Sequence, residues 1–331
     1  MRDIWQEEGE EAGEAGAGSC SWRCWPCAWQ PVYPLQEQLA DDGGNSGGTG
    51  NAAAEDISAA ASGVFRDGST LEVHYLDVGQ GDATLIVCGD GAMLIDAGNN
   101  SWGDDVRDYL EYQGVEDLDY VIGTHPDADH IGGLDVVMEA FDCGTVIMPD
   151  YEKETKTYEE VIDVMNQKGL ELTLPQVGTV YELGEAAFTI VAPQGDYGDN
   201  ANDYSVGILL EHGENRFLFT GDAEEDSEAD MLNSGMDLSA DVFKAAHHGS
   251  RTANTEAFLE RVDPGYVVIS CGEGNSYGHP HAEVLNRLRE MGIKVFRTDE
   301  EGTITATSDG SSITFNVPPS ESWKAGEPAG S

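Results

Sequence analysis

The chain has 331 residues, of which 40% are hydrophobic, so it is long enough to bury the core of one large domain or two ordinary ones. It carries 63 acidic and 16 basic residues, and the formal net charge of −47 excludes a general electrostatic attraction to DNA or anionic lipid. No run of about 18 apolar residues occurs, which excludes a membrane span, and the acidity fits either a high-salt surface or a solubilising charge excess.

The first part of the chain, residues 1–66, is predicted to be a disordered acidic head followed by a Gly/Ala/Asp linker. Linkers of this kind often follow an export signal, but MRDIWQEEGEE is acidic where a signal needs a basic and then an apolar region. The location therefore stays open between cytoplasmic and exported. Cys20, Cys24 and Cys27 have a metal-like spacing, but the missing fourth ligand disfavours a zinc site.

From about residue 70, short apolar strands such as LEVHYLDVG and RFLF alternate with helical stretches such as GGLDVVMEAFD. The hairpins IVCGDGAMLI and LLEHGENRFLF indicate antiparallel or mixed sheets. We expect an α+β domain over residues 67–318, a four-layer αβ/βα sandwich with two mixed sheets packed face to face and helices outside. Residues 319–331 are expected to form a disordered tail.

The stretch THPDADHIGG, residues 124–133, places four potential metal ligands within six positions: His125, Asp127, Asp129 and His130. It lies between the strand YVIGT and a helix, and Pro126 prevents a regular helix, so these side chains lie on a loop. Loops of this kind are where sites are usually built. Turn-capping would explain either aspartate alone but not both histidines. The cluster therefore predicts a site for one or two metal ions.

This stretch resembles the H-x-[HD]-x-D-H signature of the metallo-β-lactamase superfamily. With Asp in place of the middle His, it is similar to the ComEC-like hydrolase domains of DNA-uptake proteins and their stand-alone relatives. The segments HYLDVGQGDATLI, LIDAG, FTGD and KAAHHGSRTANT fit the same family, so the resemblance runs from about residue 71 to 316. It implies the sandwich fold and a hydrolase that uses two divalent metal ions, Zn²⁺ or Mn²⁺.

The resemblance also implies roles for single residues. His125 and Asp127 would bind the first ion, and Asp129 and His130 the second. Asp222, in FTGD, would bridge the two ions. Of the histidines in KAAHHGS, His247 is favoured as the remaining ligand of the second ion, with His248 facing the substrate. The expected catalytic residues are Asp129, Asp222 and His248.

Carboxylates outside the ligand set are expected to orient the ligands. The resemblance of LIDAG to the superfamily's first motif implies this role for Asp96, and Asp82 is assigned it as well. As alternatives, Asp96 and Asp222 would only cap turns. The separate histidine that most members of the superfamily supply to the first ion is missing, and Asn202, Asp203 and Ser205 occupy its place. The first ion's occupancy therefore stays open, and the oxygen-rich ligand set shifts the preference from zinc toward manganese.

Several polar residues near the motifs are expected to contact the substrate: Lys244, Ser250, Arg251, Asn202, Ser205, His279 and His281. The basic ones would hold a phosphate against the negative field of the protein.

Paired cations at this spacing support hydrolysis, because the pKa of a metal-bound water falls from about 15.7 to about 7. The sequence therefore predicts a metal-dependent hydrolase, with a phosphodiester in a small molecule or in nucleic acid as the expected substrate. Two alternatives stay open. One is hydrolysis of a small ester, lactone or thioester on the same metal centre. The other is a non-catalytic, metal-binding regulatory module. The oligomeric state is not predicted.

Overall fold

The computed structural model describes residues 70–327. The predictions for residues 1–66, including those for the three N-terminal cysteines, lie outside the described residues.

The described part of the chain alternates short strands and helices. The strands of the first sheet are β1 (Leu71–Tyr75), β2 (Ala83–Cys88), β3 (Gly91–Ala97), β4 (Asp117–Ile122), β5 (Asp142–Ile147), β6 (Leu172–Thr173), β14 (Ile304–Ser308) and β15 (Ile313–Phe315). Those of the second sheet are β7 (Val180–Leu183), β8 (Ala186–Ala192), β9 (Gly207–His212), β10 (Asn215–Phe219), β11 (Val242–Lys244), β12 (Tyr266–Ile269) and β13 (Lys294–Arg297).

The α-helices are α1 (Gly103–Tyr112), α2 (Ala128–Ile131), α3 (Leu134–Ala140), α4 (Lys156–Lys168), α5 (Glu225–Asn233), α6 (Glu256–Val262), α7 (Ala282–Glu290) and α8 (Thr298–Glu301). Short 3₁₀ turns occupy Asn202–Tyr204 and Ala246–Gly249.

Both sheets are mixed. The first has the strand order β15-β14-β1-β2-β3-β4-β5-β6, antiparallel from β15 to β3 and parallel from β3 to β6. The second has the order β13-β12-β11-β10-β9-β8-β7, parallel from β13 to β10 and antiparallel from there to β7. The carboxyl ends of neighbouring parallel strands share one edge of each sheet.

The core consists of three hydrophobic clusters, one between the two sheets and one under the helices on each outer face. They arise because successive side chains of a strand point to opposite faces of the sheet. In β2, Ile86 and Cys88 join a cluster shared by both sheets, whereas Leu85 and Val87 join the cluster under α1, α3 and α4. In β10, Phe217 lies between the sheets, and the neighbouring Leu218 packs under the helices of the other side. Two sheets face to face with helices on both outer faces form the predicted four-layer sandwich, and the predicted fold class is confirmed.

The segment after β15 packs against the domain. Trp323 lies against the cluster under α7, the Ser320 amide donates to Val295 O at 2.8 Å, and Arg297 donates to Lys324 O at 2.6 Å. Residues 319–327 therefore differ from the disordered tail that their composition suggests, because an apolar Trp and a buried Arg tie them to β13. Across residues 70–327, no helix is both long enough and apolar enough to span a membrane.

Candidate metal centre

The candidate site lies where the carboxyl ends of strands from both sheets meet. Asp96 is near the end of β3, and His125 follows β4. In the second sheet, Asp222 follows β10 and His248 follows β11. The crevice at the carboxyl ends of parallel strands is a common location for ligand sites in α/β sheets.

Histidine nitrogens and carboxylate oxygens converge there. In four overlapping groups of three residues, the candidate ligand atoms lie within 4.8 Å of one another. The groups are His125–His130–Asp222, Asp129–His130–His248, Asp82–Asp222–His248 and Asp82–Asp96–His130. All of these residues are buried except Asp129, which is partly exposed. Three of the four groups contain His130, so this imidazole is central to the cluster.

The Nδ1 atoms of His125, His130 and His248 each lie within hydrogen-bond distance of a protein oxygen. His130 Nδ1 lies 2.8 Å from Asp96 Oδ2, His248 Nδ1 lies 3.0 Å from Ser270 O, and His125 Nδ1 lies 3.1 Å from Thr124 Oγ1. The Nε2 atoms of these three histidines are buried and lack a hydrogen-bond partner among the described residues. Metal-bound histidines commonly donate their other ring N–H to a carboxylate or carbonyl in this way.

Asp222 lies between the histidines. Its Oδ1 is 3.2 Å from His130 Nε2, and its Oδ2 is 3.6 Å from the Nε2 atoms of both His247 and His248. Ser205 Oγ accepts the Asp222 N–H at 3.0 Å, which holds the TGD turn in place. Asp222 therefore belongs to two of the four ligand groups.

The electrostatics of the cluster favour a cation. Burial opposes the charge on His130, but the Asp222 and Asp96 carboxylates raise its pKa well above the usual value. Burial likewise opposes the charge on His248, and Asp222 and Asp82 raise its pKa to about 10. His125 differs, because burial and the neighbouring His130 lower its pKa to about 4. The donor set and its unpaired buried atoms fit a divalent metal ion, whose charge would offset the clustered carboxylates.

The two histidines of the HHG turn are placed differently from the arrangement expected from sequence. His248 is 1% exposed and belongs to two of the ligand groups, whereas His247 belongs to none. The His247 side chain is 22% exposed, and its Nδ1 lies 3.0 Å from Glu224 Oε1. Both residues have left-handed backbone angles, with φ of 49° and 53°. This unusual backbone turns His248, and not His247, into the cluster.

Asp127 stands apart from the ligand groups. It occupies the N-cap position of α2 without making a capping hydrogen bond, and its carboxylate lies 2.5 Å from Lys153 Nζ. The expected pairing of Asp127 with His125 at a first ion is therefore not preformed. This carboxylate would have to leave Lys153 in order to bind a metal.

The carboxylates expected to orient ligands lie against them. Asp96 accepts the Thr124 N–H at 2.8 Å and the Thr124 hydroxyl at 2.7 Å, besides contacting His130. Asp82 Oδ1 lies 3.3 Å from His248 Nδ1, and its N–H donates to Asp129 O at 3.0 Å. The Asp96 side chain therefore supports the loop that carries His125 and His130, whereas Asp82 contacts His248 with its side chain and the loop with its backbone N–H.

A cavity of about 130 Å³ opens above the cluster, and we call it the site cavity. The acidic and histidine residues described above line one part of it: Asp127, Asp129, Asp222, His247 and His248. Gln80, Asn202, Tyr277 and His279 line the rest. Burial and the neighbouring His248 lower the pKa of His279 to about 3. Of the residues expected to contact substrate, Asn202 and His279 are in the cavity.

Lys244 differs from its expected place beside the substrate. In β11, Val242 packs between the sheets and Phe243 packs under the helices, so Lys244 points between the sheets. Its ammonium lies 2.6 Å from Asp82 Oδ2, and the residue is 3% exposed. Lys244 therefore neutralises a buried carboxylate behind the cluster.

The other expected substrate contacts also lie outside the site cavity. Ser205 and Ser250 are buried, and Ser250 Oγ is 2.9 Å from Thr252 Oγ1. Arg251 is exposed, and its guanidinium lies 2.9 Å from the ring of His281.

Sequence reasoning missed some residues of the site. Glu224 contacts His247 and also accepts hydrogen bonds from Thr252 at 2.6 Å and Asn200 at 3.1 Å. Its place two residues after Asp222 was the available signal. Gln80 lies in the family-like segment HYLDVGQGDATLI, whereas Tyr277 carried no signal beyond its nearness to His279 in the sequence.

Comparisons with known proteins agree with this architecture. Residues 76–273 match the model of the metallo-beta-lactamase superfamily. ComE operon protein 3 of Bacillus subtilis is 30% identical over 75% of this chain and 34% of its own length. Recombination protein 2 of Haemophilus influenzae is 30% identical over 71% of this chain and 28% of its own length. The chain thus spans about a third of the length of these curated relatives.

Among solved structures, the metallo-beta-lactamase fold protein YhfI from Bacillus subtilis aligns with a TM-score of 0.49 at 13% identity, over 75% of this chain and 100% of that chain. Competence protein ComA of Neisseria gonorrhoeae is 29% identical over 70% of this chain and 31% of its own length. Together these relatives confirm the resemblance to ComEC-like domains. With the family model covering more than half of the sequence, this chain belongs to the metallo-beta-lactamase superfamily.

Proposed function

We propose that the chain is a metal-dependent phosphodiesterase whose ions are held by His125, His130, His248, Asp129 and Asp222. The observation that carries the proposal concerns buried Nε2 atoms that lack hydrogen-bond partners. Those of His130 and His248 lie 3.2 and 3.6 Å from the Asp222 carboxylate, and His125, whose Nε2 is also unpaired, belongs to the same ligand group as His130 and Asp222. Leaving several buried polar atoms unpaired is costly unless another group satisfies them. Zn²⁺ or Mn²⁺ suits this mixture of imidazole and carboxylate ligands.

A divalent ion bound here would supply a Lewis acid that lowers the pKa of water and stabilises negative charge on the substrate. The protein contributes preorganisation. Asp96 and Ser270 hold the imidazoles of His130 and His248 in fixed orientations, and the Ser205 hydroxyl holds the turn that carries Asp222. Side chains locked in this way do not have to reorganise during the reaction.

His247 is the histidine that we assign to the substrate side of the centre. The Glu224 carboxylate accepts a hydrogen bond from its Nδ1, so in the neutral imidazole Nε2 would carry the lone pair. This Nε2 lies 3.6 Å from Asp222 Oδ2, and His247 lines the site cavity. At that atom the imidazole can accept a hydrogen bond or a proton from a bound substrate or water. Asn202 and His279 complete the walls that we expect to contact substrate.

The choice of a phosphodiester rests on the relatives. The names Recombination protein 2 and Competence protein ComA refer to recombination and competence, which are processes that handle nucleic acid. Because the chain spans only about a third of those proteins, we propose the hydrolytic activity alone and not transport. The net charge of −47 opposes long polyanions, so short or single-stranded substrates are favoured.

The test is a substrate screen with the purified chain. Bis(p-nitrophenyl) phosphate, short single-stranded oligonucleotides and a panel of lactones and thioesters are incubated with Zn²⁺ or Mn²⁺, with and without chelator. We expect phosphodiester turnover that disappears with chelator and falls at least a hundredfold in Asp222→Ala, with Asp90→Ala on an exposed turn as the control. Turnover of lactones or thioesters alone would replace the proposal with the ester-hydrolase alternative. Stoichiometric metal without any turnover would favour a regulatory module.

A further inference from the structure

An exposed aromatic ring stands at the mouth of the site cavity. Tyr277 lines the cavity and is 62% exposed. Its ring stacks on the imidazole of His279, with an interplanar angle of 18° and centroids 5.5 Å apart. His279 is only 4% exposed, so it backs one face of the tyrosine ring and leaves the other face open to solvent. Among the described residues that line the site cavity, Tyr277 is the exposed one, and the others are buried or partly buried.

The loop that carries Tyr277 is held in one conformation by Asn275. The Asn275 side-chain oxygen accepts the N–H groups of Tyr277 and His279 at 3.1 and 3.0 Å. Its amide nitrogen donates to Gly272 O at 2.9 Å and His279 O at 2.7 Å. Asn275 is 8% exposed, so these bonds are shielded from water. The tyrosine is therefore presented on a preorganised loop, which lowers the entropic cost of binding through it.

Gln80 brings an unused hydrogen-bond donor to the same cavity. Its Oε1 accepts the Gly272 N–H at 3.3 Å, and because a backbone N–H only donates, this contact identifies the oxygen end of the amide. The Nε2 end is buried and has no hydrogen-bond partner among the described residues. His279 Nδ1 is likewise buried and unpaired. Unpaired buried groups in a cavity are satisfied when a polar ligand binds.

We propose that Tyr277 and Gln80 form a nucleotide-recognition subsite beside the metal centre. The open face of Tyr277 stacks on a nucleobase next to the scissile phosphodiester, and Gln80 Nε2 donates to a non-bridging phosphoryl oxygen. This inference rests on the proposed phosphodiesterase function and narrows its substrate to single-stranded nucleic acid, because bases inside a duplex already stack on their neighbours. Stacking on an aromatic ring tolerates any base, so no strong sequence preference is expected.

The test compares two short fluorescent single-stranded oligonucleotides of equal length, one with normal bases and one built from abasic tetrahydrofuran units. Removing the ring with Tyr277→Leu is expected to lower kcat/KM on the base-bearing oligonucleotide about tenfold, mainly through KM, with the abasic one unchanged within about twofold. Tyr277→Phe keeps the ring and should stay within about twofold of wild type on both. Tyr112→Leu is the matched control, because Tyr112 is 73% exposed on α1 and does not line the site cavity.

Gln80→Glu, which keeps the length of the side chain and the oxygen that accepts the Gly272 N–H but removes the donor, is expected to lower kcat/KM at least about tenfold on both oligonucleotides, since both contain the phosphate. An unchanged rate in this variant would overturn the role of Gln80. Equal losses on both oligonucleotides in Tyr277→Leu, or no loss on either, would overturn the role of Tyr277. A wild-type chain that cleaves neither oligonucleotide nor bis(p-nitrophenyl) phosphate would instead overturn the proposed function, and the subsite with it.

Discussion

The imidazole of His130 is held between two carboxylates, with Nδ1 2.8 Å from Asp96 Oδ2 and Nε2 3.2 Å from Asp222 Oδ1. Asp96 comes from β3 of the first sheet, and Asp222 follows β10 of the second. Asp96 also has a left-handed backbone, with φ of 57°, which Asp and Asn tolerate better than most residues. His130 thus joins the two halves of the sandwich at the candidate metal centre.

This relationship predicts the effect of Asp96→Asn. The substitution keeps the backbone tolerance but replaces the carboxylate that fixes the tautomer of His130. We expect metal affinity to fall about 10- to 100-fold, as is typical when such a partner of a metal-binding histidine is lost. Isothermal titration with Zn²⁺ or Mn²⁺ measures this, with Asp90→Asn as the control. Affinity within about twofold of wild type would show that Asp96 does not orient His130.

A second prediction concerns the HHG turn, where replacing His247 or His248 by alanine should have different effects on metal content and turnover. His248→Ala should lower the metal content, because its Nε2 points into the cluster within 3.6 Å of Asp129 and Asp222. His247→Ala should keep the metal content and lower kcat instead. Elemental analysis of both variants, paired with phosphodiester turnover, separates the two roles. If His247→Ala loses metal and His248→Ala keeps it, the assignment made from sequence is restored.

A third prediction concerns the contact between the DVGQGD loop and the metal-ligand loop. A Cβ at Gly81 would lie 2.5 Å from Asp129 O, the same oxygen that accepts the Asp82 N–H. Gly81→Ala should therefore lower the free energy of unfolding by about 1–3 kcal/mol and weaken metal binding. Urea denaturation checks this against Gly265→Ala, whose Cβ would meet only Asp241 O at 3.8 Å. Equal stability of the two variants would mean that the close contact between Gly81 and Asp129 O does not restrain the metal-ligand loop.

A fourth prediction concerns Glu228 in α5, away from the metal ligands. Burial raises its pKa to about 7, although the carboxylate accepts the N–H groups of Asn254 and Thr255. A folded-state pKa above the unfolded value of 4.5 gives a contribution to stability that is fully present below pH 4.5 and is lost as the pH rises through 7. The loss amounts to about 3 kcal/mol.

Glu228→Gln cannot ionise, so the unfolding free energy of the wild type minus that of this variant should fall by that amount between pH 4.5 and 7 and then level off. Denaturant titrations across this range provide the measurement. Glu225→Gln, on the exposed face of the same helix, should show no such trend. Parallel stability curves for wild type and Glu228→Gln would contradict the raised pKa.

The general architecture of the domain could be predicted from sequence because successive side chains of a strand point to opposite faces of the sheet. In β2, successive apolar residues belong to opposite layers, and this repeat with helices between strands already implies two covered sheets. The cluster around His125 and His130 was equally visible, because four ligand-type residues within six positions have few structural explanations.

Other features depend on backbone geometry that residue patterns do not carry. The choice between His247 and His248 follows from two consecutive left-handed residues, which nothing in AHHGS specifies beforehand. Lys244 was expected to contact substrate because it lies close to the HHGS turn in sequence. Its position on the inner face of β11 instead directs its ammonium to Asp82. The packing of Trp323 depends on a partner surface that is distant in sequence.

The most direct test of metal binding by this cluster is the metal content of the folded chain. After chelator treatment, the wild type is dialysed against excess Zn²⁺ or Mn²⁺, freed of unbound metal and measured by elemental analysis, with circular dichroism to verify folding. We predict at least one tightly bound ion per chain, and two if a second ion also binds next to His125. Asp222→Ala should bind clearly less metal. A folded wild-type chain that retains no metal would contradict the account.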